Sequence, residues 1–342
     1  ENVYGYISNF WYDYYNEPVF LSINIKRIDS IKLPIAVIVV IDKSTNIDNY
    51  IVAQNSLECY CKYFDYPLFR VFVDQNTSLS VKCPTNDFMF KRHCIVKELM
   101  LENPDYEYFF FFDSDIGVVN PNHLLEEYIN VKSDVVILQK IFGFEFMTES
   151  YIVKNTPFAR DFLTDWYLYE KKLSNNHYGS DNAAIHQIFL DRFNPRKASF
   201  CKYFWQESKN WGNIWQYMAC ARYYLGRDYS NFRPIEIRQK GEDNVWTRDG
   251  WLTSSRWAPR DFLLNGWKTH SSTTDFKKWY SPLIPSESET GFDLQKCSTE
   301  KIMENWVYKD TFIKENWEIN QVIQKIIQYI EKRFNKMVSE LE

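Results

Sequence analysis

No stretch of this 342-residue chain approaches the roughly twenty consecutive apolar residues of a membrane span, so none is expected within it. No secretory leader is visible, and the chain opens on Glu1 rather than Met, which points to a trimmed or processed product. Zinc is disfavoured, because no second cysteine pair of suitable spacing follows Cys59 and Cys61. The cysteines number seven, so at least one thiol lacks a partner and the redox compartment stays open. Basic runs are missing too. The formal charge is −5 with both signs interspersed, which argues against a nucleic-acid surface and for a soluble body. No internal repeat or low-complexity segment is evident.

What is abundant is aromatic surface: 18% of residues, with 12 Trp and 24 Tyr, more than a core requires. Such rings offer an apolar face with a polar edge and suit carbohydrate, although a compositional bias of the genome would enrich Tyr and Phe as well. The densest run, Tyr108-Phe109-Phe110-Phe111-Phe112, reads as a strand buried on both faces inside a parallel α/β sheet. It ends in Asp113-Ser114-Asp115. Ligands of such sheets bind at the carboxyl ends of strands. Strand periodicity would turn both carboxylates the same way, able to hold one hard divalent cation. The plainer reading is an Asp pair in a loop that caps the next helix.

Residues 35–42, 68–74, 134–138 and 150–154 read as further strands, and 46–64, 88–102, 157–172 and 181–191 as helices, the last capped near Ser180 or Asp181. Asn120-Pro121 starts another expected helix through Leu124, Leu125 and Tyr128. Residues 246–270, rich in Trp, Arg, Asp and Gly without a period, read as loops over a site. Ile319, Ile323, Ile326, Ile330, Phe334, Met337 and Leu341 predict an amphipathic helix over 315–341, which packs back on the body or pairs two copies as a homodimer. The alternation of strand and helix predicts a doubly wound, mostly parallel α/β sheet with helices on both faces. The expected organisation is an N-terminal extension at 1–33, this domain at 34–280 and a C-terminal helical extension at 281–342.

In order along the chain, Lys91-Arg92-His93-Cys94, the aromatic strand, Asp113-Ser114-Asp115 and Gly179-Ser180-Asp181-Asn182-Ala183-Ala184 resemble the signature blocks of GT-A-fold glycosyltransferases. They look like those of the glycogenin type and of fungal and plant galactosyl- and xylosyltransferases. The runs Asp115-Ile116-Gly117-Val118-Val119-Asn120-Pro121, Tyr151-Ile152-Val153-Lys154-Asn155-Thr156 and Arg248-Asp249-Gly250-Trp251-Leu252-Thr253 are similar to a nematode family of unassigned function in that superfamily.

The resemblance implies a GT-A-like fold and a metal-dependent, retaining transfer of a hexose, galactose or glucose, from a UDP-sugar to a glycan or glycoconjugate acceptor in the Golgi or ER lumen. It implies that Asp113 and Asp115 hold Mn²⁺ or Mg²⁺, which would stabilise the leaving diphosphate. Ile41 and Asp42 would hold the base, Lys91 would reach the donor with Arg92 supporting it, and Ser114 and Lys268 would line the donor site. Asp181 and Asn182 would flank the reacting carbon, the carboxylate steadying positive charge and the amide orienting substrate; the alternative for Asp181 is a helix N-cap. Gly117 would let the backbone crowd the ligand. The family's third metal ligand, a His before a Gly and a Lys, is replaced here by Asn265, so the role falls to His270 or to Asn265. His186 is a weaker candidate, expected in the core. Glu145, Trp205, Trp211, Trp246, Arg248, Asp249 and Trp251 are candidates for the acceptor pocket.

Cys201 and Cys220 flank an aromatic segment and form a disulfide candidate that an oxidising lumen would permit; the sequon Asn76-Thr77-Ser78 would fit the same compartment. Two other functions compete. A haloacid-dehalogenase-like phosphatase also places D-x-D after a strand, but wants Thr or Val where Gly117 stands. A non-catalytic nucleotide-sugar or glycan binder on the same fold would explain the missing His at 265.

Overall fold

The computed structural model describes residues 17–21, 33–43, 45–173, 179–268, 278–284, 288 and 291–341. Its elements in chain order are β1 (Pro18–Phe20), β2 (Ile35–Ile41), α1 (Ile51–Phe64), β3 (Leu68–Phe72), α2 (Thr77–Lys82), α3 (Phe88–Glu102), β4 (Tyr108–Phe112), β5 (Gly117–Val118), β6 (Val135–Gln139), β7 (Phe146–Lys154), α4 (Pro157–Leu168), α5 (Ser180–Phe193), α6 (Pro195–Gln206), α7 (Trp211–Leu225), β8 (Ile235–Arg238), β9 (Thr247–Asp249), β10 (Leu263–Asn265), β11 (Val307–Lys309) and α8 (Asn316–Ser339).

The main sheet runs β3-β2-β4-β7-β6-β8, with β7 antiparallel to both neighbours and the other pairs parallel. β2 and β4 are buried at every position, as their unbroken apolar runs require of strands covered on both faces. Alternate residues split between two cores. Ala36, Ile38, Val40, Phe109 and Phe111 pack under helices on one face, whereas Ile35, Val37, Val39, Phe110 and Phe112 face α1 and a smaller sheet on the other. A mixed sheet with helices on both faces and a C-terminal helix is the GT-A-like class expected.

The expected helix after Asn120 does not form; only a 3₁₀ turn at Leu125–Tyr128 does. The backbone N–H groups of Val119 and Asn120 both donate to the Phe262 carbonyl, and the Asn120 side chain donates to the Pro259 carbonyl at 2.9 Å. That pins the segment against a distant loop. Residues 246–268 are likewise not loops lying over a site. β9 and β10 pair in parallel, and β10 pairs antiparallel with β5, giving a buried three-stranded sheet. α2, α6, α7 and β8 were not foreseen, although Pro195 at a first helical position and Asn210 as an N-cap are start signals.

The C-terminal stretch is sewn into the body. β11 pairs with β1, Trp306 Nε1 donates to the Val118 carbonyl at 2.9 Å, and the Tyr308 hydroxyl donates to the Val119 carbonyl at 2.8 Å. Disulfides join Cys59 to Cys297, Cys83 to Cys94 and Cys201 to Cys220, the last as expected; Cys61 is free and buried. Three disulfides are compatible with an oxidising lumen. Among the described residues no helix is long and apolar enough to cross a membrane.

α8 lays Ile319, Val322, Ile323, Ile326, Ile330 and Phe334 on the helical core, so its apolar face is covered by the body. A polar clamp fixes it: the Glu331 carboxylate accepts from Arg222 at 2.7 and 2.9 Å and lies 3.5 Å from Lys240. Burial pushes the Glu331 carboxyl up, but Arg222, Lys240 and Arg227 outweigh it and hold it below the usual range. A depressed carboxyl stabilises the fold above its unfolded pKa, and that contribution is lost as pH falls through the folded value. Glu331→Gln is expected to cost about 2–3 kcal/mol near neutral pH, because it strands buried Arg222 and Lys240, less than for a fully buried pair since Glu331 is partly exposed. Urea titrations should show the gap between parent and variant closing toward acid; a constant gap would refute the clamp.

Candidate functional site

The carboxyl ends of β2, β4 and β6 and the start of β7 share one edge of the sheet, and there the chain gathers charge. The Asp113 N–H extends the β4–β7 ladder by donating to the Glu149 carbonyl at 2.9 Å. The chain then turns, with the Ile116 N–H on the Asp113 carbonyl at 3.1 Å. The two acids therefore sit on a turn rather than on strand alternation, and they meet different cations. Arg92, from the first half of α3, places Nη1 2.6 and 2.7 Å from the two oxygens of Asp113. Lys268 Nζ lies 4.0 Å from Asp115 Oδ2, and the Trp267 N–H donates to the Asp115 carbonyl at 2.9 Å. The capping reading is not supported, since no helix follows the pair.

Arg92 is buried and reaches further. Its Nη2 lies 2.6 Å from Asp181 Oδ2 and 3.3 Å from Thr148 Oγ1. The same Asp181 oxygen is 2.9 Å from His93 Nε2, while His93 Nδ1 meets the Tyr151 hydroxyl at 3.0 Å and its ring stacks on Trp166. Asp181 is 0% exposed, and its Oδ1 has no hydrogen-bond partner among the described residues. It is not the N-cap: Gly179 holds that position, and Asp181 lies in the first turn of α5. As placed, it acts on Arg92 and His93 rather than reaching the space outside the acid turn. Asn182 is half-buried, and its Oδ1 accepts from Thr148 Oγ1, which links it to the same network.

Electrostatics explain why this edge is unsettled. Burial pushes the Asp113 carboxyl up to about 7, with Arg92 opposing and Asp115 and Glu149 adding to the rise. Burial also raises Asp115, against Lys268 and with Glu149 and Asp249. Glu149 stays below the usual range despite burial, because Lys140 bonds to it. Tyr50 is raised by burial and by both aspartates, with Lys268 opposing. Sequence reading missed Tyr50, Lys140, Thr148, Glu149 and His93; only His93, adjacent to Arg92, carried a signal.

The other expected residues divide. Ile41 ends β2 and is buried, and Asp42 follows it, half-buried. The Ser114 carbonyl accepts from Gln54 Nε2 at 2.9 Å. Lys91 is half-buried and in no ion pair among the described residues. Asn265 is buried, donates to Asp249 Oδ1 at 2.9 Å, and leaves its own Oδ1 without a donor among the described residues. His270 lies outside the described residues. His186 is buried and accepts from the Phe146 N–H, as a core residue. Gly117 does not make room for a ligand: a Cβ there would come 2.2 Å from the Trp267 ring, so its place is taken by Trp267. Of the acceptor candidates, Trp205 and Trp246 are core, Arg248 is spent on Asp261 at 2.8 Å, Glu145 pairs with Lys140 at 3.1 Å, and Trp211 is exposed.

A hard cation fits this donor set only in part. Asp115 and the Asn265 oxygen, which has no hydrogen-bond donor among the described residues, are suitable donor types, and a cation would favour the ionised form of carboxyl groups that burial raises. Asp113 would have to share its lone pairs with Arg92. Among the described residues no three His, Cys, Asp or Glu side chains converge, so substrate oxygens and water would have to complete the shell. Two surface cavities, of about 250 Å³ beside Asn130 and Glu236 and about 510 Å³ beside Glu58 and Arg70, lie along the edge strands and include none of these acids.

No curated protein matches the chain. Among solved structures it is similar to a glycosyltransferase involved in the glycosylation of the major capsid of PBCV-1, at 13% identity and a TM-score of 0.36, over 46% of this chain and 78% of that one. The family described as "Protein of unknown function, DUF273" matches residues 57–281, well over half of the chain and a span carrying the acid turn, Arg92, Asp181 and Lys268, and the chain therefore belongs to that family.

Proposed function

We propose that the protein is a metal-dependent glycosyltransferase that moves a hexose from a UDP-sugar to a glycan or glycoconjugate acceptor with retention, in the lumen of the secretory pathway. The observation that carries this reading is the arginine bridge, in which one buried side chain ties Asp113 to Asp181, 2.6 Å from each, beside Asn182 and at the carboxyl edge of the sheet. Mn²⁺ or Mg²⁺ at Asp113 and Asp115, with His270 favoured over Asn265 as the third ligand, would supply Lewis-acid stabilisation of the leaving diphosphate. Lys268 would meet that diphosphate with its charge, and Lys91 offers a second cation on the adjoining helix. Arg92 holds the Asp113 carboxylate in one orientation, so the acid edge is preorganised rather than assembled on binding. Asn182 would orient the sugar through its amide N–H, since its oxygen is engaged by Thr148. The end of β2 at Ile41 and Asp42 would hold the base. The phosphatase alternative is disfavoured, because both oxygens of its nucleophile, Asp113, face Arg92.

Thermal shift with a panel of nucleotide-sugars, with and without Mn²⁺, tests the reading, together with turnover of the donors that bind. A UDP-sugar should stabilise only with the cation present. Turnover of p-nitrophenyl phosphate without donor binding would overturn it. The third ligand is tested in the same assay: His270→Ala should keep UDP affinity yet lose most transfer, whereas Asn265→Ala should lose less. The reverse order would assign the ligand to Asn265.

A further inference from the structure

Helices α6 and α7, locked together by Cys201–Cys220, turn one face outward. Along α6, Arg196, Phe200 and Tyr203 fall on the solvent stripe at helical spacing, while Ala198, Cys201 and Trp205 turn inward. The rings continue into α7 as one ladder. Successive centroids from Tyr203 to Phe204, Phe200, Tyr224 and Tyr223 are 5.9, 5.4, 5.9 and 5.0 Å apart. Tyr203 is 60% exposed, Phe200 41% and Tyr223 38%, so these rings are not there to fill a core.

The charge of this hairpin is opposite to that of the chain. Residues 195–227 hold six Lys and Arg against one acid, Glu207, in a protein of formal charge −5. Arg222 is bound by Glu331 and Arg227 lies near it, but Arg196, Lys197, Lys202 and Lys209 are in no ion pair among the described residues. Lys197 Nζ sits 5.6 Å over the Phe200 ring and 4.6 Å over Tyr224, so ammonium and aromatics form one surface.

We propose that this face docks an acidic oligosaccharide, the part of an acceptor chain beyond the reacting unit. Aromatic faces match the apolar faces of sugar rings, and the free cations match carboxylate or sulfate. A lipid surface is the weaker match, because three of the five ladder rings, Tyr203, Tyr223 and Tyr224, carry hydroxyls that keep the face hydrogen-bonding as a sugar requires, and the rings lie edge to face along the surface rather than as a protruding apolar wedge. The ladder's Tyr224 end lies away from the acid turn: the Asn194 side chain at the end of α5 donates to the Tyr224 carbonyl at 2.8 Å, about 18 Å along α5 from Asn182, while Ile214 at the start of α7 packs against Gly179 at the start of α5, so the face would meet an acceptor chain several sugars beyond the reacting unit. The acceptor role rests on the glycosyl-transfer reading; the binding does not.

The test is calorimetry on the full chain, without nucleotide-sugar, using a short linear oligouronide, the same chain with its carboxyl groups reduced, and phosphatidylserine vesicles. The oligouronide should bind, more weakly as salt rises, and at least roughly tenfold tighter than its reduced form. Lys197→Glu and Tyr203→Ser, both at exposed positions, should each weaken it severalfold with thermal unfolding unchanged. Equal binding of both oligosaccharides, no binding of either, or vesicle binding alone would overturn the proposal. Donor turnover is measured separately, so its absence would sink glycosyl transfer and leave the docking result standing.

Discussion

Arg92→Leu is expected to destabilise the protein by about 3–5 kcal/mol, the cost of leaving buried carboxylates without their partner. The magnitude follows from geometry: Arg92 and Asp181 are both buried, their contact is 2.6 Å, and the same guanidinium covers Asp113. Arg92→Lys should fall between parent and Leu, because a lysine carries the charge but cannot span both acids. Urea unfolding with an unchanged slope would measure the loss. A change under about 1 kcal/mol, the range of a surface pair, would show that the bridge is not structural. The neighbouring histidine adds a pH signature. Burial, with Arg92 assisting and Asp181 opposing, holds His93 down at about 4 against an ordinary 6.5. Its contribution is complete above the unfolded value and is lost as pH falls from 6.5 toward 4, since the unfolded chain takes up a proton that the folded one refuses.

Asp115→Ala is expected to abolish Mn²⁺-dependent stabilisation by UDP while leaving the apo fold at least as stable as before. Asp115 is half-buried, burial raises its carboxyl, and its nearest cation, Lys268, is 4.0 Å away, so deleting it removes more strain than support. With ligand at about a hundred times its dissociation constant, the parent should gain about 2.7 kcal/mol and the variant nothing. Equal shifts by calorimetry would remove the cation from the acid turn and with it the mechanism proposed above.

The central strands were legible because β2 and β4 are unbroken apolar runs, and a strand buried on both faces leaves no other pattern. α8 was legible from helical periodicity, and α1, α3, α4 and α5 from their places between strand and turn signals. α6 and α7 were not, since their aromatics occupy inner and outer positions alike and blur the period. The segment after Asn120 was misread for another reason: its backbone donors are satisfied by Phe262, far away in sequence, so local propensity lost to a tertiary bond.

At the site, the buried aromatic run marked Asp113 and Asp115 as chemistry-bearing, and the resemblance to GT-A-fold glycosyltransferases added Arg92, Asp181, Asn182 and Lys268. Their connections were invisible there. Nothing in the spacing indicates that Arg92 would face Asp113 and Asp181 together, that Trp267 would fill the space beside Gly117, or that Asn265 would turn its amide to Asp249. The chain by itself determined which segments had to be buried and where its carboxylates would cluster, because burial pattern and strand polarity are local properties. Which cation met which acid was decided by the tertiary structure, because a charge taken out of water must find its partner among whatever helices and strands the packing brings within about 3 Å.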